Sequence, residues 1–247
     1  DYSQLHKHWD AMFLQILGVI QTGGPIILAT IFTDLKMVSV YTVFNLVTSG
    51  INSILSIFIS GLAASFGDVI VRNEQLVLKR AYNEFEIIYY MMITIVYSVA
   101  FIMIMPFINI YTRNIIDANY NLPVLGFLMV LNGLLYNIKT PQGMLVISAG
   151  WYKETKLQST LQALILLIVG SVGGYYYGIY GIVCGAILSN IYRDIDLAIF
   201  IPKNLIKISP RKTFLRIGLV FLVTTLICLP FCLYKVPVNN FVNWFVH

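Results

Sequence analysis

Two basic residues stand where a lipid-facing helix would not carry them. Lys139 is the eighteenth of the 27 residues in the apolar run from Leu122 to Ser148, and Arg193 lies inside the run from 179 to 201. A cation at such depth costs at least about 2.5 kcal/mol on insertion scales unless something compensates it, and Lys139 is too deep to snorkel with ease. Two readings of Lys139 follow: a cavity cation that attracts phosphate, or a structural lysine towards the inner interface. Arg193 shares a helix face with Ser189 and Asp196 and has Asp194 as its neighbour. Its guanidinium therefore serves either a local ion pair or, if that pair opens, a two-point fork for phosphate oxygens.

The uncharged polar residues of the apolar runs also recur at helical spacing. Asn45, Ser49, Asn52, Ser56 and Ser60 fall on one side of a helix, with Val47, Ile51, Ile54, Phe58 and Leu62 on the other. A weaker stripe runs Tyr90, Thr94 and Tyr97, and a third runs Asn132, Tyr136, Lys139 and Gly143. Because lipid offers no hydrogen bonds, such stripes face protein or water, as interhelical glue or as the wall of a hydrated cavity. The predicted cavity residues are Lys139, Arg193, Asn45, Asn52, Tyr90, Asn132 and Tyr136. Hinges are predicted at Gly23, Gly24 and Pro25, a helix-breaking cluster in mid-run, and at Pro141.

These residues need rods to carry them. Seven long apolar segments can be read, near 11 to 33, 38 to 66, 86 to 110, 122 to 148, 159 to 177, 179 to 201 and 214 to 234. A hydrocarbon core of about 30 Å takes about 20 helical residues, so each segment is a candidate span. With the amino end inside, Lys7, Arg72, Lys79, Arg80, Lys153, Lys156, Lys203, Lys207, Arg211 and Lys212 fall on inner connections, whereas Lys36, Arg113 and Lys235 fall outside. Ten against three sets the orientation, and Arg216 lies at an inner edge. Charged residues make up 11% of the chain and hydrophobic ones 58%, with a mean hydropathy of +0.80, far from the roughly 25% charge of soluble domains. The long uninterrupted segments exclude the ten-residue alternation of an outer-membrane barrel. The net charge of +5 is spread over short loops rather than on one face, so membrane topology explains it and nucleic acid is not an expected partner. Cys184, Cys228 and Cys232 have no acidic or His company, and His6 and His8 sit at the inner entry, so no metal, cofactor or disulfide framework is expected.

The fold class is thus an all-α, polytopic transmembrane bundle. Its organisation is an inner entry segment (1–10), a six-helix lobe (11–201), a cytoplasmic connection bounded by Pro202 and Pro210 (202–213), and an appended helix with the start of a last one (214–247). The outer connections are tight. The inner stretch from Asp68 to Glu86, with Leu76, Val77 and Leu78 among alternating charges, is predicted to be an amphipathic interfacial helix. The opening at Asp1 and the short apolar end from Val236 to His247 lead us to expect the carboxy-terminal portion of a larger, transporter-sized protein.

Several stretches give the chain a family likeness. Val38-Ser39-Val40-Tyr41-Thr42-Val43-Phe44 opens the second segment, Ala63 to Asp68 (AASFGD) closes it, and Met105 to Thr112 (MPFINIYT) follows the third. Ser148-Ala149-Gly150-Trp151-Tyr152 and Gly178-Ile179-Tyr180-Gly181-Ile182 with Gly185 come later. Over nearly its whole length the chain resembles the carboxy-terminal half of a polysaccharide (O-antigen-type) flippase of the multidrug/oligosaccharidyl-lipid/polysaccharide exporter superfamily. The resemblance implies two six-helix lobes, the other being a missing amino-terminal lobe of the same protein, that rock around a central cavity in the bacterial cytoplasmic membrane. The implied cargo is an undecaprenyl-diphosphate-linked oligosaccharide, the implied neighbours are membrane lipids, and Lys139, just before Thr140-Pro141, would fill the family's cationic role. Gly23 and Gly24 stand where many relatives carry an Asp.

A cation-coupled drug antiporter on the same fold is the rival reading. It calls for membrane-embedded carboxylates, and the sequence offers only Asp194 and Asp196. A polysaccharide polymerase or other enzyme would gather acidic, basic or His groups in a large outer loop, where only Asp34, Lys36, Arg113, Asp117 and Lys235 are found. Catalysis is therefore not expected. A plain scaffold would leave the polar stripes without a purpose.

Overall fold

The computed structural model describes residues 2–115 and 117–233, with backbone alone for 2–8, 232 and 233. His6, His8, Lys235 and the expected start of a last helix lie outside the described side chains. Among the described residues there are eight α-helices: α1 (Tyr2–Phe32), α2 (Leu35–Val71), α3 (Gln75–Tyr111), α4 (Pro123–Ile138), α5 (Thr140–Ala149), α6 (Tyr152–Tyr177), α7 (Ile179–Ile201) and α8 (Arg211–Leu233). A π-helical turn, Pro202–Ile206, closes α7, and no strand occurs among the described residues.

Among the described residues five helices are long and apolar enough to cross a membrane: Trp9–Phe32 of α1, α2, α3, α6 and Arg211–Phe231 of α8. The chain is a multi-pass membrane protein. The other two of the seven expected segments are helical but marked by polar chemistry. One is split into α4 and α5, of 16 and 10 residues, and the other, α7, carries Arg193, Asp194 and Asp196.

The interfacial helix expected between Asp68 and Glu86 is not a separate element. α2 runs on to Val71 and α3 begins at Gln75, leaving a turn of three residues in which Asn73 takes a positive φ of 59°. At 37 residues each, α2 and α3 are about 55 Å long, well beyond a hydrocarbon core of about 30 Å. The charge alternation belongs to their protruding ends, where Arg72 pairs with Asp68 and Arg80 with Glu84. Leu78 points inward and joins Phe66, Tyr82, Leu145, Leu197 and Ile201 in a small core at this basic end.

A larger core fills the middle and the opposite end, centred on α3, with Phe44, Ile93, Ile104, Leu125, Met129 and Ile182 fully buried. On that side Asp34 caps α2 by accepting a hydrogen bond from the Met37 amide at 2.8 Å. Tyr120, in the longer connection, is shared between Asp117 and Ser39. Helices α6 and α7 form a hairpin turned by Gly178 at φ +58°, a conformation that favours glycine. Their backbones then touch: a Cβ on Gly173 would stand 2.6 Å from the Gly181 carbonyl oxygen, and one on Gly185 2.5 Å from the Gly170 nitrogen. Small residues at a membrane interface allow this approach and the dispersion contact that comes with it.

Candidate functional site at a helix break

The break between α4 and α5 is set by Pro141. Proline has no N–H for the carbonyl four residues back and its ring crowds that carbonyl, so the helix is interrupted at one residue, Lys139, with φ −77° and ψ −6°. α5 restarts at Thr140, and the Gly143 amide donates to the Lys139 carbonyl at 2.8 Å. The kink predicted at Pro141 is therefore a full interruption. The cluster of Gly23, Gly24 and Pro25 behaves otherwise: α1 runs unbroken through it, and Gly24 is where α6 comes close, its absent Cβ 3.2 Å from Leu166.

Around Lys139 the helices present polar groups to one another in a buried seam. The ammonium donates to Asn190 Oδ1 at 2.5 Å and sits 4.6 Å from the centre of the Tyr136 ring. Asn190 in turn donates to Asn132 at 2.9 Å and accepts from Gln162 at 3.4 Å. The Ser189 hydroxyl has Gln21 Oε1 and the Gln162 carbonyl each at 3.0 Å as acceptors for its one hydrogen, so α1, α4, α6 and α7 meet here. Asp194, one turn beyond Asn190 on α7, is within electrostatic reach of Lys139, yet its two buried carboxylate oxygens have no hydrogen-bond partner among the described residues.

A second part of the seam lies between α2, α3 and α4. Asn137 Nδ2 shares its two hydrogens among Asn52 at 2.6 Å, Tyr97 at 2.7 Å and the Gly133 carbonyl at 2.9 Å, and its Oδ1 accepts from Tyr89 at 2.9 Å. Tyr90 donates to the Ile138 carbonyl at 3.1 Å, beside the break. A third part surrounds Glu86, whose exposure is 0%. It accepts from Tyr82 at 2.8 Å, Gln142 at 3.0 Å and Thr213 at 2.9 Å, and it pairs with Arg216, which also donates to Asn83. Gln142 also reaches Tyr82 and Tyr90, linking this cluster to the break.

The predicted site residues are thus distributed unevenly. Lys139, Tyr136 and Asn132 come together through Asn190, while Tyr90 and Asn52 border the same seam. Asn45 is apart, with only a local contact from Thr48. Arg193 is buried and pairs with Asp196 at 2.6 Å and Ser159 at 2.9 Å, not with its neighbour Asp194. Ser49, Ser53, Ser56 and Ser60 of α2 are exposed, each donating to a carbonyl one turn back, Ser56 to Ser53 at 2.8 Å for instance. Their hydroxyls therefore place no demand on a partner.

Two grooves cut the surface. One of about 800 Å³ lies between α3, α4 and α8, walled by Phe101, Met105, Phe127 and Phe221, and one of about 430 Å³ lies between α2 and α3 beside Phe58 and Phe85. None of the seven predicted cavity residues lines either groove. The stripes of α3 and α4 meet one another in the seam, whereas the serines of the α2 stripe stay on an exposed face.

Sequence reasoning missed Asn137, Gln142, Asn190 and Glu86. Asn190 was legible as the residue one turn before Asp194, and Gln142 as the neighbour of Pro141. Glu86 was counted as the end of a connection because charges mark segment edges, although α3 carries it into the core. Comparison with protein-family models, with curated proteins and with solved structures returns no match.

Proposed function

We propose that this chain is a lobe of an alternating-access carrier that passes a lipid-linked oligosaccharide, anionic at its diphosphate, across the bacterial cytoplasmic membrane. The observation that carries this reading is a helix interrupted at an intramembrane lysine. Interrupted helices gather cargo and coupling-ion sites in transporters, and an ionisable group inside a membrane is retained at a cost that a plain scaffold does not incur. Lys139 now rests on a neutral amide oxygen, and a phosphate oxygen would offer it a charge-assisted bond roughly twice as strong. Rotation of the lysine side chain about its own bonds lets the ammonium exchange one for the other. The serines along α2, already bonded within their helix, retain free lone pairs that accept from sugar hydroxyls. The family resemblance supplies the cargo class and the facing second lobe.

The test is export of lipid-linked sugar by the full-length protein carrying Lys139→Ala. Losing a charged hydrogen bond of about 1.5–3 kcal/mol should lower export tenfold or more at equal membrane abundance. Unimpaired export would remove the lysine from the cargo path. The drug/cation antiporter stays as a second reading for one reason: Glu86 and Asp194 are buried carboxylates, the groups it requires.

A further inference from the structure

We propose that Asp194 is a proton-exchange site and that its ionisation moves the Lys139 ammonium between two rungs of α7. The inference stands on the geometry of the seam whatever the cargo. Asn190 and Asp194 are four residues apart, so they share a face of α7 about 6 Å from one another. The ammonium occupies the Asn190 rung, while the carboxyl on the next rung is 7% exposed with both oxygens unbonded. An ionised carboxylate left in that state would bear the full cost of desolvation without a compensating bond. The arrangement is therefore that of a neutral carboxyl, protonated on one oxygen.

When the O–H bond breaks, the proton leaves to water and the electron pair stays on the carboxylate. The cation free to answer it is Lys139, whose long side chain rests on a neutral amide rather than on a carboxylate. It leaves Asn190 and the Tyr136 ring and takes the lower rung, freeing Asn190 Oδ1. Reprotonation reverses the step. The other groups that face Asp194 do not compete for this role: Arg193 on the same helix is engaged by Asp196 and Ser159, and the Tyr90 hydroxyl from α3 is engaged by the Ile138 carbonyl and Gln142. Beyond Tyr90, Glu86 and Arg216 neutralise each other. Gln21 of α1, Gln142 of α5 and Gln162 and Ser159 of α6 are the groups that hydrogen bonds bring to the seam from those elements among the described residues, and none of them is ionisable. A sodium ion is a poorer occupant than a proton, because the adjoining ammonium repels it and Asn190 Oδ1 is already taken.

The experiment is pH-difference infrared spectroscopy of the purified full-length protein in lipid vesicles. The wild type should lose one carboxyl C=O band as pH rises, and the Tyr136 ring modes, identified through Tyr136→Phe, should shift over the same range. Asp194→Asn, an isostere of the protonated form, should lack the band and show no shift. Asp194→Glu should keep a displaced band, which guards against a misfolded Asn variant. An unchanged carboxyl band in Asp194→Asn, a Tyr136 signal indifferent to pH in the wild type, or a titration abolished by replacing potassium with sodium would each overturn the proposal. Because the readout is spectroscopic, a failure here leaves the export result with Lys139→Ala standing, and the converse holds too.

Discussion

Replacing Glu86 by glutamine should loosen α8 from the rest of the lobe. The carboxylate is fully buried, with Oε1 accepting from Tyr82, Gln142 and Thr213 and Oε2 facing Arg216, whose side chain is 18% exposed. A glutamine there must place its NH₂ against one set of donors or the other, so neither rotamer satisfies the site. Arg216 is left mostly buried with no counter-charge. Breaking a buried pair from one side costs about 3–5 kcal/mol. The detergent-unfolded chain offers stray polar groups alternative partners, which argues for the lower end. About 3 kcal/mol is a fall of roughly a hundredfold in the folded-to-unfolded ratio. The assay is unfolding in mixed micelles, as a cycle of Glu86→Gln, Arg216→Gln and the double variant, with tryptic cleavage at the exposed Lys207, Arg211 and Lys212 reporting release of α8. The double variant should recover about 1–3 kcal/mol relative to the sum of the singles. Strict additivity, or a cleavage rate unchanged in Glu86→Gln, would refute the reasoning.

Two further substitutions probe the frame of the seam. Gly181→Val should abolish accumulation of folded protein in the membrane, since the added Cβ overlaps the Gly173 carbonyl and backbone cannot give way as a side chain does; wild-type abundance would contradict the close helix contact. Pro141→Ala restores an N–H to the Asn137 carbonyl and should fuse α4 with α5, raising unfolding resistance by up to about 3 kcal/mol while lowering export. Stability and export falling together would speak against the break as a functional device.

What the sequence revealed was what a single helix can encode. Charge placement between apolar runs located the rods, the proline two residues after Lys139 located the break, and the spacing of Asn132, Tyr136 and Lys139 put them on one side of one helix. What it concealed was which helices face each other. Asn190, Asn137 and Gln142 are unremarkable in their own segments and gain their roles from partners 28 to 85 residues away. Arg193 shows the converse within one helix, where spacing alone put Asp196 on its face. Its sequence neighbour Asp194 is rotated about 100° around the axis, whereas Asp196, three residues on, lies on the same side and takes the pair. Glu86 was hidden by a rule of thumb, because a charge beside a polar connection reads as solvated until the helix is seen to continue through it.

Three cations set into the bundle, Arg193 buried and Lys139 and Arg216 half-buried, divide by how fully they are answered. Arg216 meets Glu86 and Asn83, and Arg193 meets Asp196 and Ser159. Each closed cluster ties two helices, α8 to α3 and α7 to α6, and sliding either pair apart would strand a charge in a medium that cannot hydrate it. The glycine contact reinforces the α6 and α7 pair, since backbones already touching leave no side-chain layer to shear. Lys139 alone has a neutral amide as its hydrogen-bond acceptor and an unbonded carboxyl within reach, and it alone sits where its own helix is severed. A lobe built this way can change shape most cheaply at the joint between α4 and α5, with the flanking pairs moving as units, and that joint is the position a cargo or coupling charge would have to address.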